Sequence, residues 1–182
     1  MKRTVIQQLL QQLNMKLADI NENRCLIICG GAALILSNYD KEETADIDLL
    51  SPSRDSLLKK LAEDIAKENH GLRPDWLNPH ASIFFTKHNP LPAGWESRLV
   101  ETFSGSHLQV RSLSPQDMLF SKICSHVERE LDEDDIRALA SSREMFDTAV
   151  LEMLKIDTFK NTTTQLIIDE LKIRLGFSDD DH

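Results

Sequence analysis

Two aspartates one residue apart, Asp46 and Asp48, follow a glycine pair, Gly30-Gly31, with 14 residues between. In an extended strand residues i and i+2 leave the same face, so the two carboxylates point together while Ile47 and Leu49 face the other way. Two like charges at that spacing repel, and keeping both ionised is costly unless a cation sits between them. Mg2+ is the natural occupant, since it is usually held by one or two carboxylates, water and substrate phosphates. The Gly30-Gly31 turn lets the backbone approach a triphosphate closely, and the N–H groups opening a helix just after it suit its negative charge. Phosphoryl or nucleotidyl transfer is the chemistry that these parts fit.

The elements that must position these residues are legible from periodicity and turn signals. Val5, Leu9, Leu13 and Leu17, joined by Ile6, Leu10 and Ile20, form the stripe of an opening amphipathic helix. A short buried strand over 24–29 runs into the glycine turn and a helix over 32–38. A second strand covers 45–50, and Ser51-Pro52 predicts the start of a helix over 52–69, with Leu57, Leu58, Leu61 and Ile65 buried. Prolines break 72–80 into a loop, with Trp76 as a core anchor or a base-stacking platform. Strands are predicted at 83–85, 98–103 and 107–111, the last two as a hairpin about Ser104-Gly105-Ser106. Ser114-Pro115-Gln116-Asp117 starts a helical region with helices over 115–130, 133–140, 142–153 and 161–175. The acidic tail Ser178-Asp179-Asp180-Asp181 is expected to fray. The domains are then an α/β core over 1–112 and a C-terminal helical lobe over 113–182. The fold class is α+β, a mixed sheet flanked by helices and followed by helices.

Composition narrows the classes. The 182 residues carry 21 Lys and Arg against 30 Asp and Glu, a net charge of −9, which argues against a broad cationic surface for duplex nucleic acid. A local basic patch remains compatible with it. The apolar runs Cys25–Cys29 and Gly31–Leu36 are far short of the ~20 residues of a membrane span. Gln7, Gln8, Gln11 and Gln12 interrupt any signal-peptide core, so a cytoplasmic protein is expected. Three cysteines, Cys25, Cys29 and Cys124, include no C-x-x-C pair, which favours buried structural thiols in a reducing compartment. Gly30-Gly31-Ala32-Ala33-Leu34-Ile35 lacks the G-x-G-x-x-G spacing of a dinucleotide fingerprint.

With Gly30, Gly31, Asp46 and Asp48 in this order, the chain resembles the nucleotidyltransferase superfamily of polymerase-beta-like fold. Gly30-Gly31-Ala32-Ala33-Leu34 with Thr44-Ala45-Asp46-Ile47-Asp48-Leu49-Leu50 is similar to uncharacterised bacterial, toxin-like members related to abortive-infection systems. Pro74-Asp75-Trp76-Leu77-Asn78 and Leu113–Leu119 resemble that branch too. The resemblance implies metal-assisted transfer of a nucleotide from an NTP, with Asp46 and Asp48 on Mg2+ and Gly30 and Gly31 cradling phosphates. It also implies a helix lysine followed by two acids three apart, for which Lys122, Asp132 and Asp135 are the matching positions. The superfamily's third carboxylate falls to Glu101 by topology, although alternation can equally turn it to solvent. Lys122, His126 and Arg129 share one helix face, either a phosphate-binding stripe or a solvated face paired with Glu130, Asp132 or Glu133. Asp132–Asp135 reads otherwise as a cap cluster at a helix N-terminus. The implied acceptor is an RNA, a protein or a small molecule, the implied setting toxin–antitoxin or phage defence with a cognate toxin or antitoxin partner. The competing expectation is a catalytically silent binding or regulatory module of the same fold.

Overall fold

The computed structural model describes residues 1–85 and 90–177. Thirteen regular elements follow in order: α1 (Arg3–Asp19), β1 (Arg24–Cys29), α2 (Gly30–Leu36), β2 (Ile47–Ser51), α3 (Ser56–Glu68), β3 (Leu77–Asn78), α4 (His80–Phe84), β4 (Val100–Ser104), β5 (Leu108–Ser112), α5 (Pro115–Arg129), α6 (Glu133–Leu139), α7 (Arg143–Met153) and α8 (Thr162–Leu175). The described chain forms two compact units, one of 1–85 with 96–114 and one of 90–95 with 115–177. The fold is α+β with a mixed sheet.

The first unit holds the five-stranded sheet in the order β3-β2-β1-β5-β4. β1 runs parallel to β5 and antiparallel to β2, β2 is parallel to β3, and β4 and β5 form the antiparallel hairpin. Register places Leu26 beside Val110 and Ile28 beside Leu49, and these side chains, with Ile47 and Leu108, are buried as one apolar face. Each such aliphatic side chain contributes about 1.5–3 kcal/mol when removed from water. Helix α1 buries Ile6, Leu9, Leu10, Leu13 and Leu17, and α3 buries Leu58, Leu61, Ala62 and Ile65. The stripe of α1 centres on Ile6, with Val5 and Ile20 exposed at its margins. Asn14, on the same helix, accepts the backbone N–H groups of His107 (2.8 Å) and Leu108 (3.0 Å), tying α1 to the β4–β5 turn.

Several sequence expectations need correction here. Residues 83–85 are not a strand: α4 occupies His80–Phe84 and leaves Ile83 exposed, because the edge place beside β2 is filled by β3. The stretch 72–80 is not wholly loop, since Leu77–Asn78 pairs with β2. Trp76 is fully buried and donates its Nε1–H to the Ala62 carbonyl at 3.0 Å, so it anchors the core. Helix α3 starts at Ser56, capped by Asp55, whose carboxylate accepts from Leu58 N–H at 3.0 Å and pairs with Arg24 at 2.7 Å. Cys25 is exposed, whereas Cys29 and Cys124 are buried. The acidic tail 178–182 lies outside the described residues.

In the second unit α5 is packed by α6, α7 and α8. Met118, Leu119, Phe120, Ile123 and Cys124 of α5 meet a core completed by Ile136, Leu139, Phe146, Val150, Met153, Ile168 and Leu171. Burial pushes the Cys124 thiol far up, so it acts as a small apolar side chain. Ser142 and Asn161 cap α7 and α8, and Gly176, at φ +77°, closes α8 in the left-handed conformation that glycine adopts without strain. Among the described residues no helix is long and apolar enough to cross a membrane.

Candidate active site

The site starts at the end of β1, where the chain enters α2 with no intervening loop. Gly30 takes φ +68°, a conformation a side chain would strain. A Cβ built on Gly30 would stand 2.6 Å from Oδ2 of Asp48, and one on Gly31 would stand 2.6 Å from Thr44 Oγ1 and 3.0 Å from Lys41 Cε. Both glycines are therefore required by close approach of the segment 41–48. Register explains the first contact, because Cys29, the residue before the turn, pairs with Asp48 across the antiparallel β1–β2 ladder.

Asp46 lies just before β2 rather than within a strand beginning at 45. Its position is fixed from β3: Ile47 N–H donates to the Trp76 carbonyl at 2.6 Å, and Asn78 Nδ2 donates to Asp46 Oδ2 at 3.1 Å. Asn78 is 3% exposed, and its Oδ1 accepts from His80 N–H at 3.0 Å, which orients the amide with its NH2 towards the carboxylate. Since Asn78 is the register partner of Asp48, Asp46 and Asp48 share one face of the sheet. Both are half-buried. Asn78 is a site residue that composition did not single out; the broken segment Pro74–Asn78 was its only signal.

The face bearing Asp48 continues across the sheet through Ile27 to Arg111 and then Glu101. Glu101 is exposed on the edge strand β4, and β1 and β5 stand between it and β2, about 14 Å away at the usual strand spacing. The structure does not bring Glu101 to the two aspartates. On β5, the strand beside β1, that face carries Gln109 and Arg111 instead of an acid. Among the described residues no group of three or more His, Cys, Asp or Glu side chains is arranged to hold a metal. The two-carboxylate set fits Mg2+ in the mode in which water and substrate phosphates supply the other oxygens. Helix α2 has only seven residues, which limits the dipole contribution expected from it.

A cavity of about 640 Å3 opens at the β3 edge, with Leu49, Leu58, Ala62 and Leu77 among its walls. Alternation puts Leu49 and Leu77 on the sheet face opposite Asp48, and Asn78, which also lines the cavity, is the residue that reaches Asp46.

In the second unit the structure brings Lys122, Asp132 and Asp135 together. Lys122 Nζ lies 2.7 Å from Asp132 Oδ1 and 2.5 Å from Asp135 Oδ2, and Arg129 reaches Asp132 Oδ2 at 3.0 Å. Asp132 stands at the N-cap of α6 but makes no side-chain cap bond there, because its carboxylate is taken by the cations. Burial opposes charge on Lys122, yet the field of Asp132 and the hydrogen bonds that Lys122 donates to both acids outweigh it and raise the ammonium's pKa. Burial likewise opposes the Asp132 carboxylate, and Lys122 outweighs it and holds the pKa below the ordinary value. Lys122 is 12% exposed and His126 2%, whereas Arg129 is exposed, so the shared face is buried at Lys122 and His126, open at Arg129, and its lysine and arginine pair with Asp132.

The sequence model of a family described as nucleotidyltransferase of unknown function (DUF6036) matches residues 5–176. The chain belongs to this family. Comparison with curated proteins and comparison with solved structures give no significant match. Membership of the nucleotidyltransferase family covers both units, since the match runs from α1 through α8. In family terms Gly30, Gly31, Asp46 and Asp48 lie in the sheet unit, and Lys122, Asp132 and Asp135 in the helical one.

Proposed function

We propose that the chain is a Mg2+-dependent nucleotidyltransferase that moves a nucleotide from an NTP to an RNA, protein or small-molecule acceptor. The observation that carries this reading is the closure of 41–48 onto Gly30-Gly31, with Asp48 Oδ2 against the turn and Asp46 held by Asn78. Asp46 and Asp48 are the residues that would hold the ion. Bound there, Mg2+ would neutralise charge on the phosphates and favour in-line displacement. The glycine turn admits the triphosphate backbone-close, and Asn78 keeps Asp46 from swinging away. An acceptor oxygen attacks the α-phosphorus, the α–β phosphoanhydride bond breaks, pyrophosphate leaves and the acceptor's proton passes to water. Lys122 enters this reading as the cation that Asp132 and Asp135 keep charged and in place. The toxin–antitoxin or phage-defence setting, a cognate partner and a cytoplasmic site of action rest on the resemblance and composition alone.

A second reading, a catalytically silent binding module, is favoured by one observation: two strands stand between Glu101 and the aspartates, and β5 offers no acid in its place. The deciding experiment incubates the protein with each labelled NTP, Mg2+ and separate RNA and protein extracts, beside an Asp46→Ala/Asp48→Ala double variant. Label transferred by the wild type alone supports transfer and names the acceptor class. Absence of transfer together with absence of Mg2+-dependent NTP binding favours the silent module.

A further inference from the structure

The connection between α2 and β2, residues 37–46, is a strap laid across the glycine turn. Lys41 N–H donates to the Tyr39 carbonyl at 2.8 Å, Thr44 N–H to the Met1 carbonyl at 3.1 Å, and Thr44 Oγ1 to the Asp46 carbonyl at 3.3 Å. Those bonds set the chain so that Lys41 is half-buried and its Cε stands 3.0 Å from where a Gly31 Cβ would be. Asp48 Oδ2 stands 2.6 Å from the corresponding point on Gly30. Lys41 Cε, the carbon that bears the ammonium, and a carboxylate of the proposed metal pair thus lie over neighbouring residues, whose α-carbons are about 3.8 Å apart. We infer that Lys41 is a triphosphate-binding residue, which meets the nucleotide's phosphate charge at the glycine turn.

The inference rests on the nucleotidyltransferase reading above. Two carboxylates already balance one divalent ion, so the charge on the triphosphate needs a further cation in the same place. Arg73, whose field reaches Asp46, is exposed and lies with Asp75 just ahead of β3 rather than in the strap over the turn. Lys41 is the basic side chain that the described unit places on the turn itself, and a lysine serves phosphate as a compact point charge. A purely structural role, the aliphatic stem covering Gly31, is the alternative that a test must separate.

The test measures calorimetric binding of each of the four Mg·NTPs to the wild type, then of the tightest one with its diphosphate and monophosphate to Lys41→Met and Lys41→Arg. Lys41→Met keeps the stem and removes the charge. It is expected to weaken the triphosphate about 10- to 100-fold, the scale of one charge-assisted hydrogen bond, while the monophosphate changes little and Lys41→Arg recovers most of the loss. Equal triphosphate affinity in wild type and Lys41→Met overturns the assignment and leaves the proposed function standing. Equal loss for triphosphate and monophosphate, with a lowered melting temperature, also overturns it in favour of the structural role. A wild type that binds no Mg·NTP overturns the proposed function and Lys41's role with it.

Discussion

At the residue scale, the two aspartates differ in how they are held. Asp48 is pressed against Gly30 by the β1–β2 register, and Asp46 is reached from β3 by Asn78. Replacing either by asparagine keeps the size and removes a charge, so Asp46→Asn and Asp48→Asn should each lower nucleotide transfer by about 100-fold or more with little change in the unfolding midpoint. Comparing transfer rate with urea midpoint in the same preparations checks both parts. Gly30→Ala should do the opposite, costing stability as well. Its φ of +68° and the 2.6 Å approach to Asp48 predict a loss of about 1–3 kcal/mol, read from equilibrium denaturation. The need for glycine at 30 was readable from the strand-to-helix junction, whereas the approach of Lys41 and Thr44 to Gly31 was not.

At the element scale, two polar locks fix how helices sit. In the sheet unit, Asn14 of α1 satisfies two backbone donors of the β4–β5 turn, and Asn14→Ala leaves them without that acceptor. A loss of about 1–3 kcal/mol is expected, with accelerated amide exchange at His107 and Leu108. In the helical unit, Lys122 locks α5 to Asp132 and Asp135 at the start of α6. Lys122→Met removes the ammonium shared by two buried carboxylates, leaving Arg129 on Asp132, and should cost about 3–5 kcal/mol near neutral pH. The pH dependence follows from the two shifts. Asp132, with its pKa lowered, contributes stability above the ordinary carboxylate value of about 3.9 and loses it as pH falls through the folded value. Lys122, with its pKa raised, contributes below about 10.4 and loses that contribution as pH rises through the folded value. Urea midpoints from pH 3 to 11 should show wild-type losses at both ends and a gap to Lys122→Met that narrows in acid.

For the whole molecule, binding at the proposed site should appear as stability. Mg·NTP at about 100 times its Kd should add about 2.7 kcal/mol to the wild type, and neither the Asp46→Asn/Asp48→Asn double variant nor the wild type in excess chelator should gain it. Thermal melts with and without chelator check this, and a shift that survives chelator would place nucleotide binding away from the aspartates. The net charge of −9 argues against a broad cationic surface, so such binding is expected to be local. Family membership over 5–176 joins both units in one assignment.

What the sequence by itself determined is what neighbours along the chain decide. The i, i+2 aspartates, the glycine turn, the apolar stripes of α1 and α3, and the Ser114-Pro115 start of α5 depend on residues a few positions apart. The α+β class was legible on that basis, and the nucleotidyltransferase family through the resemblance that Gly30, Gly31, Asp46 and Asp48 carry. Beyond the β4–β5 hairpin, only the tertiary structure decided which strands meet. The two-residue β3 is a strand because β2 offers it a parallel edge, and without that pairing Asn78 has no route to Asp46. The same ordering of strands separates Glu101 from the aspartates although both face one way. Likewise, a ten-residue separation along the chain gave no geometric reason for Lys122 to meet Asp132, and only the turn from α5 into α6 closes it to 2.7 Å. Periodicity fixes the face a side chain leaves by, but strand order and loop closure, which are sums of distant contacts, fix what stands opposite it.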